Sequence, residues 1–153
     1  MNEVVLMAHV MFGVGCLVAT LWVFVDVLNV SESNLARIRK LSCAAAVFMW
    51  LAFLIAGWWY VFSYKVDKAI ILKGPWPFAH NFFMETKEHL VIMLLMLATY
   101  LPIATRGNLP ANKDARRVVL WVAGMVVLLA LTTEGDGAII ATGVKMGLLA
   151  GHD

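Results

Sequence analysis

Val4-Val-Leu-Met-Ala-His9-Val-Met-Phe-Gly13-Val-Gly-Cys16-Leu-Val-Ala-Thr20-Leu-Trp-Val-Phe-Val25 is an apolar run interrupted only by His9 and Thr20. Its length decides the fold, because a hydrocarbon core of roughly 30 Å takes about 20 helical residues to cross. Three more such blocks follow at residues 43–63, 89–105 and 118–133. The third reaches back toward Glu85, and the fourth has an apolar continuation to Ala150. The chain is 62% hydrophobic and 14% charged, with a mean hydropathy of +0.83. A soluble bundle carries polar faces at helical period, and these blocks carry none. The expected fold is therefore all-α: an integral membrane, up-and-down four-helix bundle forming one domain over residues 1–153. Its helices are expected at about 4–29, 41–64, 85–105 and 117–149, in contact with the lipid bilayer.

Basic residues in short loops set the orientation. Arg37, Arg39 and Lys40 follow the first span, and Arg106, Lys113, Arg116 and Arg117 follow the third, so every arginine falls on one side. Lys65, Lys68, Lys73, Lys87 and Lys145 fall on the other. This places the arginine-rich side in the cytoplasm and both termini in the periplasm, as in a bacterial inner membrane. Trp58, Trp59 and Trp76 then mark the outer interface and Trp121 the inner one. No basic residue precedes the first run, so the first span is expected to be retained rather than cleaved as a signal peptide. The net charge of +2 argues against a nucleic-acid-binding surface.

The connections at 31–40 and 106–117 are short, which makes successive helices antiparallel neighbours. The outer connection, 64–84, is long, and its Gly74-Pro75-Trp76-Pro77 segment is incompatible with regular helix. The fourth helical stretch has too many residues for one straight span. Glu134-Gly135-Asp136-Gly137 is the expected point at which it breaks or ends, since glycines weaken helices and two acids enter with them.

Chemistry concentrates at one depth. Counting the ~1.5 Å rise per residue puts His9 ~8 Å, and His89 and Glu134 ~6 Å, below the outer boundary. Ionisable groups inside a membrane are costly, so their convergence points to a functional site. The first and third helices are diagonal in such a bundle, so His9 and His89 are expected to face each other across its centre. Two imidazoles at one level suit the iron of haem b. Gly13, four residues below His9 on the same face, would leave room for the ring edge, with Trp58 and Trp59 at matching depth. Glu134 or Asp136 would accept from the second nitrogen of each ligand.

Two other chemistries use the same layer. Glu85 and His89 are spaced i, i+4 and, with His9, Glu134 and Asp136, offer mixed ligands for zinc, copper or non-haem iron. Aromatic groups beside a histidine and a carboxylate also suit a quinone. A third reading is a non-catalytic assembly subunit whose polar residues pack against a partner helix.

The first span, with its early histidine and a glycine four residues later, is joined by Met84-Glu-Thr-Lys87-Glu-His89-Leu-Val-Ile-Met-Leu-Leu-Met, where a lysine precedes a long apolar run. Together with four spans and this length, the pattern resembles the HemJ-type protoporphyrinogen oxidase and copper-resistance D-type superfamily of membrane proteins. The resemblance implies b-haem binding or metal handling, with His9 a haem ligand and Lys87 a site residue. The combined expectation is a haem protein of one-electron transfer near the outer face. It would work in a respiratory or quinol-linked membrane complex, or as a homo-oligomer.

Overall fold

A computed structural model describes residues 3–151. It holds five α-helices: α1 (Glu3–Leu28), α2 (Glu32–Phe62), α3 (Tyr64–Lys73), α4 (Glu85–Ala104) and α5 (Lys113–Ala150), with a π-helical segment, Ala79–Met84, leading into α4. Four stretches are long and apolar enough to cross a membrane: Val4–Leu28, Glu32–Phe62, Ala79–Ala104 and Lys113–Ala150. No strand occurs among the described residues.

Each of the four long helices packs against two others. α1 and α4 both lie against α2 and α5, while among the described residues the backbones of α1 and α4, and of α2 and α5, do not approach closely. The interior is built from small and medium side chains, among them Val23, Ala45, Ala98, Leu101, Ala123 and Val126. Large apolar side chains face outward instead: Trp121, Met11, Met96 and Leu128 are all well exposed. Thr20, Ser42, Thr105, Thr133 and Asp136 are buried. Polar groups inside and an apolar exterior are what a lipid solvent selects, and the chain reads as an integral membrane protein.

The connection expected at 31–40 is much shorter, because α2 begins at Glu32 rather than near 41. Ser31 takes an extended conformation at the N-cap, and its N–H donates to Asn34 Oδ1 at 2.9 Å. Asn34 Nδ2 in turn donates to the carbonyls of Asp26 and Asn29, satisfying the open end of α1. Arg37 grips Asp26 through two hydrogen bonds of 2.7 and 2.8 Å. At the same end, Ser42 Oγ and Thr105 Oγ1 lie 3.0 Å apart, and Arg39 donates to the Thr105 carbonyl, joining α2 to α4. The second turn closes with Asn112 as N-cap of α5, accepting from the N–H groups of Asp114 and Ala115.

The expected break at Glu134–Gly137 does not occur. α5 is one helix of 38 residues. Each glycine costs about 1 kcal/mol relative to alanine. A continuous buried face, including Thr133, Asp136, Ile140 and Gly143, outweighs that. At ~1.5 Å per residue α5 is ~57 Å long, nearly twice a hydrocarbon core. α3 and the π-helical segment pack against its last turns. Tyr64, Ile71, Ala79, Met84 and Ile140 form a second core there. Close approach needs glycine: a Cβ on Gly147 would fall 2.6 Å from the Ile70 carbonyl oxygen, and one on Gly143 would fall 2.7 Å from Ala79 Cβ. Gly74–Pro77 is non-helical, as the two prolines require.

Candidate functional site

A cavity of about 360 Å³ opens between the four long helices at the end carrying α3. Its walls are mainly apolar, with Phe53, Ile55, Val91, Ile140 and Val144 prominent. Val61 and Ile92 line it and are also exposed on the outer apolar surface, so its mouth opens sideways between α2 and α4. Into this space come His9 from α1, Tyr60 from α2, Asp67 from α3, and Lys87 and Glu88 from α4.

His9 Nδ1 lies 3.0 Å from the carbonyl oxygen of Ala52 on α2. A carbonyl only accepts, so Nδ1 carries the proton and the lone pair is on Nε2. The carbonyl of a neighbouring helix thereby sets the tautomer and the ring orientation that a ligating histidine needs.

Glycines on two helices receive the charged groups. The Glu134 carboxylate lies against Gly13 of α1, in space any side chain there would fill. The Lys87 ammonium lies against Gly137 of α5, where a Cβ would stand 2.7 Å from Nζ. Lys87 is near enough to Glu134 and Asp136 to feel both charges, and its own charge reaches His9. Among the described residues no nitrogen–oxygen distance of 4.0 Å or less joins it to either acid. Asp136 is only 6% exposed, and its Oδ2 has no hydrogen-bond partner.

A second polar group flanks the mouth. Tyr60 donates to Glu88 at 2.6 Å, and its ring stacks on Tyr64 with centroids 5.2 Å apart and planes 19° from parallel. The Tyr64 hydroxyl meets His80 Nδ1 at 2.8 Å, both residues being buried. Burial pushes the Tyr64 phenol well above its ordinary range. Asp67, 8% exposed, is likewise held above the usual carboxylate range by burial.

Several expected placements are corrected. His9 and His89 do not face each other: His89 is exposed, lies outside the cavity wall, and bonds through Nδ1 to the Glu85 carbonyl at 2.7 Å. Glu85 is exposed as well, and it offers His89 its backbone rather than its carboxylate. The acceptors for the histidines are thus backbone carbonyls, and neither Glu134 nor Asp136 fills that role. The room beside Gly13 is taken by Glu134. Trp58 is 54% exposed and packs at a tilt against Phe62, whereas Trp59 does line the cavity. Among the described residues no three His, Cys, Asp or Glu side chains come together to hold a metal ion. The mixed-ligand layer of Glu85, His89, His9, Glu134 and Asp136 is therefore not formed, because Glu85 and His89 are exposed and lie outside the cavity wall. His152 lies outside the described residues.

Reading by depth missed Glu88, Asp67 and Gly137. Helical phase carried the signal for the first: Glu88 shares a face with Val91 and Ile92 at i+3 and i+4. Compared with protein-family models, curated proteins and solved structures, the chain matches none. Fold and site define a helical membrane protein with a lipid-facing apolar cavity and a charged inner end.

Proposed function

We propose that the chain is an up-and-down four-helix membrane bundle that holds one b-type haem in this cavity through a single protein ligand, His9, for one-electron transfer within the membrane. The observation that carries the reading is the His9–Ala52 hydrogen bond, which fixes the tautomer with its lone pair on Nε2 in an apolar cavity. Lys87, the other position marked by the resemblance, borders the same cavity from α4. The volume falls within the ~300–1,000 Å³ of small-molecule sites, and the open side leaves room for a ring edge toward lipid. The residues fit one axial histidine and not the bis-histidine arrangement, because His89 faces away. When bound, the haem iron supplies reversible one-electron chemistry. The chain's residues orient the ligand, exclude water with apolar walls, and set the local charge through Lys87 and Glu134. The segregation of arginine supports an outer-side location of the cavity in a bacterial inner membrane, with a redox partner docking there.

The test is a dithionite-reduced minus oxidised visible spectrum of protein purified from haem-replete cells. The wild type and His89→Ala are expected to show b-haem bands, and His9→Ala to lose them. A colourless wild type, or a spectrum lost equally in His89→Ala, refutes the reading. A second reading, a quinone site, is favoured by the His9, Lys87 and Tyr60–Glu88 polar groups bordering one lipid-open cavity. Quinone extracted stoichiometrically from a colourless wild type would establish it.

A further inference from the structure

We propose that Asp136, Lys87 and Glu134 form an intramembrane proton-binding site in which Asp136 carries the proton. One ammonium stands near two carboxylates, toward the α3 end of a helical array with an apolar exterior. An uncompensated charge in such surroundings costs several kcal/mol, so the group is stable only near neutrality. Lys87 balances one acid, and the other is neutral only when protonated.

The two acids are not equivalent. Glu134 is half-buried, and its carboxylate sits in the notch left by Gly13, within reach of the charge on Lys87. Asp136 is 6% exposed, and its Oδ2 meets no donor. A carboxylate oxygen there would be both charged and unsolvated, whereas a hydroxyl removes the charge. Lys87 of α4 is the charged group that acts on Asp136, and Glu134, two residues earlier on α5, acts on the same ammonium. His9 on α1 interacts with Lys87 and Glu134. α3 and the π-helical segment bring Ile70, Ile71 and Ala79 against α5, together with the buried titratable groups Tyr64, Asp67 and His80, of which Tyr64 and His80 pair with each other.

The ligand is a proton rather than a metal cation for two reasons. The Lys87 ammonium repels a second cation at the same place. No three His, Cys, Asp or Glu groups assemble to coordinate one among the described residues. Gly137, whose notch holds the Lys87 ammonium, is itself part of the cavity wall, so the site adjoins the ligand cavity directly. This assignment stands on the protein's own side chains and does not depend on haem.

Infrared spectroscopy of the purified protein in lipid vesicles at neutral pH tests it. The carbonyl stretch of a protonated carboxyl group should appear above the amide bands and shift on exchange into D2O. The Asp67→Asn background removes any contribution from Asp67, while the third buried acid, Asp26, is ion-paired with Arg37. In that background, Asp136→Asn should abolish the band, and Lys87→Met should raise its intensity about twofold, because both acids must then be neutral. No band in the Asp67→Asn protein, a band that survives Asp136→Asn, or an unchanged band in Lys87→Met would each overturn the proposal. Either variant suffices if the other fails to fold. Metal analysis of the same samples that finds a stoichiometric bound cation would also overturn it.

Discussion

Substituting Gly147 by alanine tests whether α3 is locked to the C-terminal end of α5. The new Cβ would lie 2.6 Å from the Ile70 carbonyl oxygen, 2.7 Å from Ile70 Cγ2 and 3.1 Å from the Ile70 carbonyl carbon. Two of those atoms are backbone, so no rotamer change relieves the clash and the helices must separate. Overpacking costs ~1–3 kcal/mol, and a rigid backbone neighbour belongs at the upper end. Alanine returns up to ~1 kcal/mol through its helix propensity. The net is about 2 kcal/mol against the α3–α5 contact, equivalent to ~30-fold in an opening equilibrium. Gly135→Ala is the control, since nothing lies within 4 Å of its Cβ position and only the propensity gain applies. Amide hydrogen exchange over 64–73 in detergent-solubilised protein reads this opening directly. Exchange there should accelerate by ~30-fold in Gly147→Ala and remain unchanged or slow in Gly135→Ala. Equal exchange in the two variants would refute the packing argument.

Tyr64→Phe removes the hydroxyl that meets His80 Nδ1 in a buried pair, and should destabilise the protein by about 1–3 kcal/mol in thermal unfolding, with no change in far-ultraviolet helicity. Asp67 introduces a pH dependence whose sign follows from its burial. Its folded pKa is raised, so its contribution is full below about pH 4 and declines as pH rises from there through the raised value. Melting temperatures should therefore fall across that window in the wild type, with a flatter profile in Asp67→Asn; parallel profiles would contradict the assignment.

The four spans were legible because lipid imposes a requirement that composition alone reveals: some 20 consecutive apolar residues. The boundaries were less so. Ser31 and Asn34 cap α2, yet Asn34 is not the Glu or Gln that usually signals a capping box, and the charged first turns of α2 resemble a loop. The Glu134–Gly137 stretch looked like a break because glycine propensity is a local quantity, and the compensation lies in burial along α5. The site was half legible. Counting residues gives depth, and His9, Lys87 and Glu134 do lie near one cavity. Depth says nothing of azimuth. At ~100° per residue, Lys87 and His89 project ~200° apart, and of the two only Lys87 borders the cavity. Helical phase contained that choice, and the cavity lies on the Lys87 side. The roles of Gly13 and Gly137 as sockets were not legible, because they depend on which side chain of another helix arrives there.

The sideways mouth between Val61 and Ile92 has a kinetic consequence. An apolar molecule partitions into the bilayer before it meets the protein, so its approach is a search in two dimensions. Occupancy then follows its mole fraction among the lipids rather than its concentration in the surrounding water. Diluting a reconstituted sample with buffer would leave binding almost unchanged, whereas adding empty vesicles would strip the cavity. Apparent affinities measured in detergent and in membranes will differ accordingly, by the ratio of the two solvent volumes available to the ligand.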